Sequence, residues 1–95
     1  MVHELKCWPE YFCAVLAGLK TFEVRKNDRN FGLFDELILK EWEPAIDVNG
    51  VVSYAPLNGQ YTGRSCRVMV AYLLDGIFFE GIEHGFVVMA VRLMQ

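Results

Sequence analysis

The chain predicts a small α+β fold, a compact β-barrel or strongly bent, mostly antiparallel sheet with one N-terminal helix. Three observations point there. Ninety-five residues suit one domain of 10.9 kDa with a single core. Apolar positions recur with helical spacing only near the start, in Phe12, Val15, Leu16 and Leu19. From Thr21 onward the period drops to two, in four to six short apolar stretches separated by turn formers.

His3–Lys6 is extended in character. Pro9 then stands where proline is favoured, in the first turn of a helix, and Gly18 supplies a left-handed stop, so the helix is expected from Pro9 to Ala17. Thr21–Arg25 alternates apolar Phe22 and Val24 with polar Thr21, Glu23 and Arg25. Lys26–Asn30 reads as a loop. Glu36–Trp42 is a strand centred on Leu37-Ile38-Leu39 that Pro44 is expected to end. Cys66–Leu74 is a long strand with Val68, Val70, Tyr72 and Leu74 on one face, and Phe86–Leu93 closes the fold. Ile77-Phe78-Phe79 is expected in a short turn or helix. Residues 44–60 carry two Asn-Gly pairs, Asn49-Gly50 and Asn58-Gly59, and read as a hairpin-like surface insertion with an extra strand at Val51–Tyr54.

Composition narrows the function classes. With 54% hydrophobic and 22% charged residues and a mean hydropathy of +0.23, disorder is excluded. The longest apolar runs, Val68–Leu74 and Phe86–Val91, fall far short of the roughly 20 residues of a spanning helix. The N-terminus carries no apolar signal core, so a cytoplasmic location is expected. The cysteines, Cys7, Cys13 and Cys66, are odd in number and match no zinc spacing, with or without His3 and His84; neither disulfides, metal nor cofactor is expected. A net charge of −3 argues against attachment to polyanions by bulk charge.

That average conceals a local reversal. Residues 18–29 hold four bases and two acids, a charge of +2 against −5 for the rest of the chain. Thr21, Glu23 and Arg25 share a strand face, with Lys20 just before it. A glutamate between two cations fixes the arginine fork, which then grips a phosphate or reads a base edge; the plain alternative is a solvated strand face with local ion pairs. Tyr61-Thr62-Gly63-Arg64 forms a second, weaker cluster read as a turn. Trp8, Trp42 and Tyr61 are candidates to stack on bases, or else packing residues of the core and rim.

His3-Glu4-Leu5-Lys6 with Trp8-Pro9, followed by Gly18-x-Lys20-Thr21-x-Glu23-x-Arg25-Lys26-Asn27-Asp28-Arg29, resembles the ASCH-type domains of the PUA-like superfamily. The likeness is to a small single-domain branch common in phages, prophages and bacteria. Asp35…Glu41-Trp42, Tyr61–Arg64, Leu74-Asp75-Gly76 and Gly85-Phe86-Val87-Val88 extend it over nearly the whole chain. The resemblance implies a PUA-like β-barrel with the helix beside a cleft, association with RNA or modified nucleobases, and a cleft-lining Lys20. Two departures stand out: the long 44–60 insertion, and Phe34-Asp35 where the family commonly has Gly-Asp.

Three functions follow as expectations. The first is RNA or nucleotide binding by Lys20, Thr21, Glu23, Arg25, Lys26, Arg29, Trp42, Tyr61 and Arg64. The second, implied by a related ASCH branch, is an amidohydrolase acting on N4-acetylcytidine, with Lys20, Thr21 and Glu23 as catalytic candidates. That branch has its nucleophilic threonine three residues after the lysine, where this chain has Glu23, which favours binding over catalysis. The third is a protein-interaction module of phage origin that uses Phe78-Phe79 and the 44–60 hairpin.

Overall fold

A computed structural model describes residues 1–53 and 58–94. The alternation of His3, Leu5 and Cys7 buries one face of β1 (Val2–Cys7). Pro9 opens α1 (Pro9–Leu16), and Gly18, at φ +75°, turns the chain out of it. Phe12 and Val15 are buried. Leu16, the last residue of α1, and Leu19, beyond it, stay exposed. Then come β2 (Phe22–Lys26), β3 (Glu36–Ile46), β4 (Val52–Ser53), β5 (Gly59–Asp75) and β6 (Phe86–Leu93).

Among the described residues all six strands belong to one sheet in the order β1-β3-β5-β6-β2, with β4 attached to β3. The β1–β3 pair is parallel, with α1 and β2 lying between its strands in sequence; the other pairs are antiparallel. The core joins Phe12 and Val15 of the helix to inward residues of the sheet, among them Leu37, Leu39, Val68, Val70, Val87 and Met89.

The backbone ladder stays open between β1 and β2, so hydrogen bonding does not close a barrel. Side chains span the seam instead. Arg25 Nη2 of β2 donates to the Lys6 carbonyl of β1 at 2.7 Å, and Arg29 Nη1 donates to the Glu4 carbonyl. In a flat sheet of this order the two edges would lie about 19 Å apart, beyond an arginine's reach, so the sheet curls until they face each other.

Two expected strand ends move. Pro44 does not end β3. It sits opposite Gly59, and the ladder resumes with Ala45 N–H donating to the Asn58 carbonyl at 2.9 Å, because proline removes only one donor. Correspondingly β5 starts at Gly59 rather than Cys66, so Asn58-Gly59 is not a hairpin turn. A Cβ at Gly59 would collide with the Trp42 ring and the Glu43 carbonyl. The first Asn-Gly pair does turn, with Asp47 Oδ1 accepting from Asn49 and Val51 N–H, and β4 pairs back onto Ala45 and Ile46. Of the expected extra strand Val51–Tyr54, Tyr54 lies outside the described residues.

Tyr72 is also displaced from expectation. A register shift between Val70 and Tyr72 reverses the parity of β5, turning Tyr72 outward and Leu73 toward the core. Ile77-Phe78-Phe79 forms a turn on the Asp75 carbonyl. At the entry to β3, Asp35 Oδ1 accepts from the N-terminal ammonium at 3.0 Å. Its Oδ2 lies 2.8 Å from His3 Nε2 and accepts from Gly32 N–H at 3.0 Å. These partners, His3 foremost, hold the Asp35 carboxyl down at about 2. Among the described residues no helix is long and apolar enough to cross a membrane.

Candidate nucleotide cleft

A cleft of about 720 Å³ opens where α1 and the segment after it meet the β1–β2 seam. Lys6, Cys7, Trp8, Tyr11, Leu19, Lys20, Phe22, Glu23, Val24 and Arg25 line it. Strand β2 builds its chemical centre by reversing the usual amphipathic order. Glu23 is 3% exposed whereas Phe22 and Val24 are about half exposed. Burying a carboxylate is costly unless it is paired, and each oxygen of Glu23 has its own cation. Lys20 Nζ donates to Oε1 at 2.7 Å and Arg25 Nε to Oε2 at 3.0 Å.

Both cations also cap strand-edge carbonyls, Lys20 that of Phe22 at 2.7 Å and Arg25 that of Lys6. Arg25 is thereby fixed at two points. Lys20 Nζ lies 5.6 Å from the Tyr11 ring centroid and 5.0 Å from that of Phe22. Trp8 and Tyr11, one helical turn apart, stack with centroids 5.6 Å apart and planes at 23°. Lys6, Lys20 and Arg25 against Glu23 leave two net positive charges on the cleft lining. Burial, reinforced by the Glu23 charge, pushes the Cys7 thiol up to about 11, which keeps it protonated and unreactive; burial raises Cys66 as well.

The structure thus brings together Lys20, Glu23 and Arg25 of the residues expected to bind ligand. Thr21 is not among the lining residues; its carbonyl accepts from Val91 N–H at 2.9 Å on the β6 side. Arg29 is committed to the Glu4 carbonyl, and Lys26 is exposed beyond the cleft. Trp42 is buried, its ring against Gly59 with Lys6 Nζ 4.8 Å from the centroid. Tyr61 is half exposed under Lys40 Nζ at 4.7 Å.

Arg64 belongs to a separate structural unit. Lys40 pairs with Ser65 and Trp42 with Tyr61, so Thr62-Gly63-Arg64 bulge from β5 opposite the lone Glu41. Tyr61–Arg64 is therefore a bulge within a strand, not a turn between strands. Arg64 donates from Nε and Nη2 to the two Glu41 oxygens at 2.9 and 2.8 Å, and Thr62 Oγ1 donates to Oε1 at 2.7 Å. These bonds lower the Glu41 pKa and raise that of Arg64. Arg64 meets the Phe12 and Cys13 side of α1, whereas Tyr11 and Ala14 face the cleft.

Sequence reasoning missed Lys6, Tyr11 and Phe22 as cleft residues. The signal for Tyr11 was present, since it stands three residues after Trp8 on the helix. Among the described residues no cluster of His, Cys, Asp and Glu is able to hold a metal ion.

The chain is 35% identical over 74 residues to a protein of Escherichia phage P2 described as "Uncharacterized 12.9 kDa protein in GpA 3'region". That match takes in 78% of this chain and 55% of the relative, so the chain spans little more than half of the relative's length. Residues 2–91 match the family described as "Domain of unknown function (DUF3850)", and the chain belongs to that family.

Proposed function

We propose that the cleft binds a single nucleotide, free or as part of an RNA strand. The observation that carries this reading is the buried Glu23 with Lys20 and Arg25 on separate oxygens, beside the stacked Trp8 and Tyr11. Two fixed cations suit a phosphate, the aromatic wall suits a base, and the remaining lone pairs of Glu23 accept from an exocyclic amine. A net lining charge of +2 complements the roughly −1.5 to −2 of a phosphate monoester.

The same reading takes the fold as PUA-like and ASCH-related. The curled sheet with α1 beside a cleft supports it, as do Gly18 and Lys20 at the positions the resemblance implies. Phe34, where the resemblance implies glycine, adopts a left-handed φ of +67°, a conformation glycine favours.

The hydrolytic alternative draws less support, because Thr21, its nearest hydroxyl, is not part of the cleft lining. Calorimetric titration with a panel of nucleoside monophosphates tests the proposal. Wild type is expected to bind at least one of them, with Arg25→Ala weakening it about tenfold or more through loss of a charged bond. No binding across the panel, or equal binding by the variant, overturns it. Incubation with N4-acetylcytidine is expected to release no cytidine.

A further inference from the structure

The outer face of the sheet divides into two halves of different chemistry. On the β1–β3–β5 side its outward residues include two ion pairs, Glu4 with Lys40 at 3.4 Å and Glu36 with Arg67 at 2.8 Å, set around Ile38 and Met69. On the β5–β6–β2 side the register sets apolar residues in rows. Tyr72, Ala90 and Phe22 stand opposite one another, and so do Leu74, Val88 and Val24. Tyr72 is 62%, Val24 52% and Phe22 47% exposed.

No Asp or Glu occupies an outward position of β2, β6 or the Tyr72–Leu74 stretch, in a chain that carries 12 acids and 9 bases. The charges on the rows themselves are positive, and the acids Asp28, Asp75 and Glu83 lie beyond their ends. Lys26 continues the β2 row, Arg92 the β6 row, and Lys20 Nζ lies 5.0 Å from the Phe22 centroid.

We propose that this face is a stacking platform for single-stranded RNA, continuous with the cleft through Phe22, which belongs to both. It rests on the reading of the protein as a nucleotide binder and extends that site to the flanking bases. Phe22 and Tyr72 stand two strands apart, about 10 Å between backbones, with Ala90 as a low floor between them. A base lying over Ala90 meets an aromatic ring on either side, while Lys26 and Arg92 follow the phosphates. Face-to-face pairing with a second copy offers Lys26 and Arg92 no acid on the opposing rows, so charge complementarity favours a polyanion over self-association.

The test uses fluorescence anisotropy of a labelled single-stranded RNA octamer, with calorimetry of a nucleoside monophosphate alongside. Tyr72 is outside the cleft lining and largely exposed, so Tyr72→Ala is expected to fold and to bind the mononucleotide as wild type does. Its octamer affinity is expected to fall about fivefold or more, with Tyr72→Phe restoring it. Equal octamer binding by wild type and Tyr72→Ala overturns the platform. So does a wild-type dimer, seen by sedimentation, that Tyr72→Ala dissolves without loss of octamer affinity. If Arg25→Ala leaves mononucleotide binding intact while Tyr72→Ala weakens the octamer, the platform stands and the cleft reading falls.

Discussion

Arg25 on one edge strand donates to the Lys6 carbonyl on the opposite edge at 2.7 Å, while its Nε holds Glu23 at 3.0 Å. One guanidinium therefore spans the open seam of the sheet and orients the carboxylate of the cleft. Structure and site are coupled at this residue. Arg29, bound to the Glu4 carbonyl, repeats the seam contact without touching the cleft, so the two roles can be separated experimentally.

Arg25→Ala is expected to lower unfolding stability by about 1–3 kcal/mol, since it removes charged hydrogen bonds from a buried carboxylate and a strand edge. Arg25→Lys is expected to recover little of this, because an ammonium lacks the fork that spans both acceptors. Urea denaturation of the two variants measures the difference.

Arg64→Ala separates the second cluster from the first. Its partner Glu41 is buried and its ring contact is Phe12, so the thermal midpoint is expected to drop. Nucleotide affinity is expected to stay within about twofold of wild type, as for sites that share no partner. A large loss of affinity with an unchanged midpoint would return Arg64 to the ligand.

These two arginines show what the sequence made legible. Local pattern located the helix, all but one of the strands, and Lys20, Glu23 and Arg25 as a group. The parallel pairing of β1, a non-local choice, left no mark on the pattern. Nor did the bulges: the register shift after Val70 turns Tyr72 outward, and the bulge at Thr62–Arg64 makes a structural clamp of a motif that reads as a ligand contact. The inversion of β2 was half legible. Alternation separated Glu23 from Phe22, but not which of them faces inward, because that depends on cations supplied by side chains outside the ladder.

The Asp35 anchor predicts an acid-labile N-terminus. Its carboxyl is held at about 2 instead of the ordinary 3.8, so the stabilisation is complete above the unfolded value and lost as pH falls toward 2. Asp35→Asn is expected to cost about 1–2 kcal/mol at neutral pH and to flatten the acid limb between about pH 4 and pH 2. Chemical denaturation across that range reads both.

Phe34 adopts φ +67° with its ring 70% exposed, so the side chain contributes little packing against the strain of a left-handed backbone. Phe34→Gly is expected to raise stability by about 0.5–1 kcal/mol, the relief of strain less the added chain entropy. A decrease in the urea midpoint would mean that the ring packs more than its exposure indicates.

Titration of the ¹⁵N-labelled protein with a nucleoside 5′-monophosphate, followed by two-dimensional NMR, reads the cleft residue by residue. Shifts are expected at the Trp8 indole and the amides of Tyr11 and Lys20–Arg25, and are expected to be absent in Arg25→Ala. No shifts at millimolar nucleotide, or shifts confined to the Glu41–Arg64 region, would contradict nucleotide binding in the cleft.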